Sequence, residues 1–147
     1  MSTCVLRFIP EEPTFVPAEE AVKQAREQLG RAAGKPAVAR VTEGLAFVDP
    51  GENLEAVGCP ACGSGLELAW WQERMQGASS GGFSELQVAV PCCGAETSLH
   101  DLDYTAPAGF ARFVLEVEDP AVDPEAVEGD ELEGTLGCFL RRIVARY

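Results

Sequence analysis

Cys59-Pro-Ala-Cys62-Gly63 and Val90-Pro-Cys92-Cys93-Gly94 are the two stretches around which the chain organises itself. Each packs a proline, cysteine and a closing glycine into five residues, a composition that favours a tight turn. Two thiols spaced C-x-x-C on such a turn both reach one ion at about 2.3 Å, and the glycine lets the backbone curl so that amide N–H groups point at the sulfurs. Disulfides are rare in a reducing compartment, so clustered pairs of cysteines point first to a metal. The two remaining cysteines, Cys4 and Cys138, lie in the apolar runs Cys4-Val-Leu-Arg-Phe-Ile9 and Leu136-Gly-Cys-Phe-Leu140 and read as small core residues.

Outward from the pairs, residues 58–102 read as an insertion. Leu68, Trp71 and Met75 share one face of a predicted helix, Gly77-Ala-Ser-Ser-Gly-Gly82 reads as a flexible connection, and the alternation of Leu86, Val88 and Val90 predicts a strand delivering the second pair. Adjacent helical residues point about 100° apart, so of Trp70 and Trp71 one indole enters the core and the other stays near the surface. On the N-terminal side, Thr3 to Ile9 is a short strand. A helix starts near Pro17, with Ala18, Val22, Ala25 and Leu29 at helical spacing and Gly30 or Gly34 to stop it. Ala37 to Val48 follows as a strand or hairpin bent at Gly44. On the C-terminal side, Phe110 to Val117 predicts a strand. Leu132, Leu136, Leu140, Ile143 and Tyr147 predict one last helix, capped by Asp130 with Glu133 and ending in Arg141, Arg142 and Arg146. The expectation is a single α+β domain over residues 1–147, two helices packed on a mainly antiparallel sheet, with residues 58–102 as the inserted subdomain.

Cys59-Pro-Ala-Cys62-Gly63 resembles the first knuckle of zinc ribbons and rubredoxin-like domains, in which two CPxCG turns flank an intervening segment. The second turn departs from that pattern: with Cys93-Gly94 matched to the final CG, Val90 takes the first ligand position and Cys92 the variable one. Either Cys59, Cys62, Cys92 and Cys93 all bind, or His100 or Asp101 replaces Cys92. Four thiolates close a structural centre without a further assumption, with Zn2+ as the expected ion and iron suited to the same sulfurs. Cys59 and Cys62 also resemble a thiol redox motif, although such motifs open a helix early in the chain. The segments Cys59–Gly63, Pro91–Gly94, Leu99–Tyr104, Gly109–Val117 and Leu136–Tyr147 together resemble small bacterial proteins of unassigned function, a resemblance that implies no activity.

Charge narrows the function. With 24 acidic and 11 basic side chains the net charge is -13, which opposes non-specific nucleic-acid or anionic-membrane binding. The excess concentrates between Asp101 and Glu133, where Arg112 is the lone base and the local charge is -10. Such a segment is a solvated loop or a docking face for a basic protein partner. Neither a membrane-length apolar run nor a signal-peptide pattern is present, so the expected location is the cytoplasm. Catalysis has little to draw on. The one histidine, His100, with Asp101 and Asp103 is the only acid–base constellation, and it reads first as a polar turn after the cysteine region. Gly30-Arg-Ala-Ala-Gly34-Lys35 falls one residue short of a Walker loop, and Pro36 replaces its Ser or Thr. The reading is a non-enzymatic interaction module, an acidic inhibitor or adaptor in concrete form; the alternatives are a small hydrolase or transferase using His100, Asp101 and Asp103, or a redox protein using Cys59 and Cys62.

Overall fold

The apolar runs on either side of the cysteine region meet in one antiparallel sheet. A computed structural model describes residues 3–147. In chain order the elements are β1 (Cys4–Pro10), α1 (Glu19–Ala33), β2 (Val38–Val48), β3 (Val57–Gly58), β4 (Gly65–Leu66), α2 (Leu68–Ser80), β5 (Gln87–Ala89), β6 (Glu96–Ser98), β7 (Asp103–Tyr104), β8 (Gly109–Glu118), a 3-10 turn at Pro124–Ala126, α3 (Asp130–Leu136) and β9 (Leu140–Arg146). The class is α+β. The main sheet has the order β2-β8-β1-β9, every neighbour antiparallel. The chain's last strand thus pairs with its first, and the cysteine region leaves from the end of β2 and returns at the start of β8.

Helices α1 and α3 share one hydrophobic core with this sheet. Ala25, Leu29 and Ala33, spaced four apart on α1, and Leu132 and Leu136 on α3 close over Leu6 and Phe8 of β1 and Phe113, Leu115 and Val117 of β8. Alternate residues of a strand point to opposite faces, so the neighbours of these side chains build a second, smaller cluster of Ile9, Val48, Ala111 and Ile143. Leu6, Phe8, Phe113, Leu115 and Ile143 are fully removed from solvent or nearly so.

Three expectations need correction. The long C-terminal helix is two elements. Gly137 adopts the left-handed conformation (φ 76°) that ends α3, and Leu140 to Arg146 then pairs residue for residue with β1. The 3–4 spacing of Leu132, Leu136, Leu140 and Ile143 is a helical pattern for its first half only; beyond Gly137 the same residues satisfy a strand, with Leu140 and Val144 against the helix-covered core and Ile143 on the other face. Glu133 does not close an N-terminal capping box, because its carboxylate accepts from the Leu140 amide at 2.7 Å and so ties the helix to the strand that follows. The supposed connection at 77–82 is helical as far as Ser80, and α2 faces inward with Trp71, Met75 and Ala78 while Leu68 is exposed. The bend expected at Gly44 lies within a register shift between Val41 and Ala46.

Candidate metal centre

The cysteine region is built from small pieces: β4-β3-β7, the β5-β6 hairpin and α2. Strands of two or three residues have almost no ladder to hold them, so their positions depend on what they pack against. Trp71 supplies the centre. Its indole N–H donates to the Tyr104 hydroxyl at 3.2 Å, and that hydroxyl donates to the Leu99 carbonyl at 2.6 Å. Burial pushes the Tyr104 phenol up to about 12, which keeps it a donor at any ordinary pH. Phe47 of β2 meets Trp71 edge-on with ring centroids 5.9 Å apart and Phe110 of β8 at 5.1 Å, so this aromatic cluster joins the region to the sheet. Trp70 is only partly buried, as the angular spacing of adjacent helical residues requires.

Both turns fold the same way. The Gly63 amide donates to the Cys59 carbonyl and the Gly94 amide to the Val90 carbonyl, each at 2.9 Å. The Cys59 amide donates to Ser64 at 2.8 Å, and the Val90 amide donates to Ala95 at 3.0 Å. Gly63 and Gly94 both lie in the left-handed region, at φ 79° and 73°, which glycine adopts without strain. By backbone hydrogen bonding, Val90 therefore corresponds to Cys59, Cys92 to Ala61 and Cys93 to Cys62. Cys59 and Val90 are each 1% exposed, and both belong to the buried cluster around Trp71.

The turns bring four sulfurs together. The Sγ atoms of Cys59, Cys62, Cys92 and Cys93 all lie within 4.8 Å of one another. Cys59 and Cys93 are 3.8 Å apart and Cys62 and Cys92 3.3 Å. A tetrahedral ion with bonds of about 2.3 Å needs sulfur–sulfur edges of roughly 3.8 Å, so the set fits such an ion with small adjustments. The Cys62 amide points at the Cys59 sulfur at 3.5 Å, the N–H···S contact that the turn sequence predicts. Cys92 meets the group although it stands at the turn position where Cys59-Pro-Ala-Cys62 has alanine. The thiols are unequal. Ser64, through its side chain and amide, draws Cys62 down to about 6, while hydrogen bonding to Cys62 holds Cys92 up at about 12. Crowding produces that spread: once one sulfur ionises, its neighbours keep their protons to hydrogen-bond it.

His100 and Asp101 do not complete this cluster. His100 is 2% exposed and both its ring nitrogens are occupied, Nε2 donating to the Glu11 carbonyl at 2.8 Å and Nδ1 accepting from the Phe110 amide at 2.9 Å. This fixes the neutral imidazole with its proton on Nε2. Burial, and after it the Arg141 charge, push His100 below its ordinary value. Asp101 and Asp103 are exposed. Beside the imidazole, Arg141 donates to the carbonyls of His100 and Ala108 at 2.8 and 2.7 Å, and grips the Glu11 carboxylate with two nitrogens. His100 lies on the turn after β6, as the polar-turn reading expects, and is buried there in a polar knot that fastens the cysteine region to β8, β9 and the turn after β1; it is not a free acid–base group. The contact between Arg141 and His100 was not legible from the sequence, since 41 residues separate them.

Cys138 packs against the main core, and burial raises its thiol. Cys4 is half-buried at the start of β1. Among the described residues no helix is long and apolar enough to cross a membrane. The chain matches no protein-family model, no curated protein and no solved structure.

Proposed function

We propose that Cys59, Cys62, Cys92 and Cys93 hold one structural Zn2+ ion, with iron suited to the same four thiolates, and that the ion maintains residues 58–102 as an inserted zinc-ribbon subdomain. The observation that carries this reading is the convergence of four sulfurs within 4.8 Å on twin turns. Four thiolates leave no coordination position for water or substrate, so the ion's contribution is to folding. The module acts as a non-enzymatic interaction platform in the cytoplasm, and the acidic segment from Asp101 to Glu133 is its docking face for a basic protein partner. Support for that part is the concentration of charge, together with the full occupation of His100, which withdraws the acid–base alternative.

Elemental analysis of protein purified under reducing conditions tests the metal directly. One zinc or iron per chain is expected, and the Co2+-loaded protein should show thiolate-to-metal absorption; metal-free protein with an unchanged fold sinks the reading. For the docking face, capture of partners by the wild-type chain and by a chain carrying Glu125→Gln, Glu128→Gln and Glu131→Gln is compared. Equal capture removes the acidic surface from the proposal.

A further inference from the structure

A groove of about 710 Å³ runs along the outer side of α1 and is walled by the turn into β2. Lys23, Arg26 and Arg31 of α1 line it, Arg26 and Arg31 from its two sides about 140° apart around the helix axis, and Lys35 lines it beyond the helix end. Gly30 and Gly34 are also on its lining and add no side chain to it. Gly34 sits at φ 72° and a Cβ there would meet Ala121 at 2.9 Å, which makes a larger residue costly at this spot.

The cations are only weakly paired. In a chain with 24 carboxylates, Arg26, Arg31 and Lys35 form no ion pair among the described residues; Arg26 donates to the Ala37 carbonyl at 3.4 Å, and Lys23 reaches only the exposed Glu20 at 3.8 Å. Glu27 is the single acid on the lining. Favourable interaction with the helix dipole accounts for Arg31, the one base in the last turn, but not for Lys23 and Arg26 in mid-helix or Lys35 beyond the end. Like charges gathered on one surface repel, and a multivalent anion is the ligand that reverses the sign of that term. Guanidinium forks match the oxygens of a phosphate in pairs, and lysine adds a point charge.

We propose that this groove binds a compact multivalent phosphate, either inorganic or the diphosphate of a nucleotide. The site owes nothing to a Walker loop, since its donors are side chains of α1 and Lys35. Nor does it depend on the metal centre.

Backbone-amide NMR of the full chain, titrated with pyrophosphate at low salt, tests it. Saturable shifts confined to residues 23–37 are expected, together with an affinity at least tenfold weaker in a chain carrying Arg26→Gln, Arg31→Gln and Lys35→Gln. ADP, titrated as a second arm, identifies the source: tighter binding than pyrophosphate means that the base contributes, and equal or weaker binding means that the inorganic anion suffices. Absence of saturation at millimolar pyrophosphate overturns the proposal, as does equal binding by the variant. Shifts confined to residues 59–64 and 90–95 also overturn it, because the anion would then be acting on the metal centre.

Discussion

The four-stranded sheet and the cysteine region hold themselves together by different means. The sheet has strands of seven to eleven residues, two helices over one face and a continuous apolar core. Nothing in it needs an added group. The cysteine region has strands of two or three residues, one helix with a single buried residue, and three of its four clustered cysteines exposed. A unit that small buries too little apolar surface to offset the entropy of ordering its chain, so a metal or another staple is the expected remedy. The weak point lies in the sulfur cluster, and in the knot of His100, Arg141 and Glu11 that ties the two parts together.

The largest expected effect separates the two regions outright. Cys59→Ser, or metal removal by a chelator, should abolish stoichiometric metal binding and unfold residues 58–102 while the sheet keeps its amide protection, because structural zinc contributes on the order of 10 kcal/mol in small domains. Hydrogen exchange reads both parts at once; uniform loss of protection across the chain would mean that the sheet is not independent.

At the junction, a Cβ on Gly109 would lie 2.9 Å from both Arg141 Nη1 and His100 Cε1. Gly109→Ala should therefore cost about 1–3 kcal/mol in urea unfolding, as overpacking of a close contact does. A stability within error of wild type would show that the knot yields easily.

His100 gives the junction a pH dependence. Its folded-state value lies below the ordinary 6.5, so the unfolded chain takes up the proton first as pH falls. The contribution of the neutral ring is complete above about pH 6.5 and is lost progressively below it, since a protonated Nδ1 can no longer accept from the Phe110 amide. Metal binding weakens with acid as well, so the comparison that isolates the ring is wild type against His100→Gln between pH 7.5 and 5.5. A smaller loss in the variant is expected, and identical losses would assign the dependence to the thiols alone.

The smallest effect concerns the two turns. If Val90 occupies the place that Cys59 has in the first turn, then Val90→Cys with Cys92→Ala moves a ligand without removing one. Metal stoichiometry should stay at one and the stability of the region should change by less than about 1.5 kcal/mol, whereas Cys92→Ala alone should weaken metal binding severely. Failure of the double variant to hold metal would show that Cys92 reaches the ion in a way the twin backbone does not account for.

Much of this was readable from local chemistry. The turn-forming Pro and Gly residues around the cysteines, the four-residue repeat of Ala25 and Leu29 and the alternation in Phe110 to Val117 act over a few residues, so they announce themselves in one dimension. The C-terminal segment shows the limit. Leu136, Leu140 and Ile143 fit a helix by spacing, and only the seven-residue register with β1, contributed by residues more than a hundred positions away, makes Leu140 to Arg146 a strand. The same holds for His100, whose neighbours suggest catalysis while its two ring nitrogens are spoken for by Glu11 and Phe110. Turn chemistry, charge and hydrophobic period are local properties, and they were enough for the α+β class, for Cys59, Cys62 and Cys93 among the clustered thiols, and for the two cysteine turns. That Cys92 joins the cluster from an alanine's position, that the single histidine is a fastener, and that a groove on a strongly acidic chain is lined by four cations and one acid all emerge only in the folded molecule, because each depends on how the backbone packs in three dimensions.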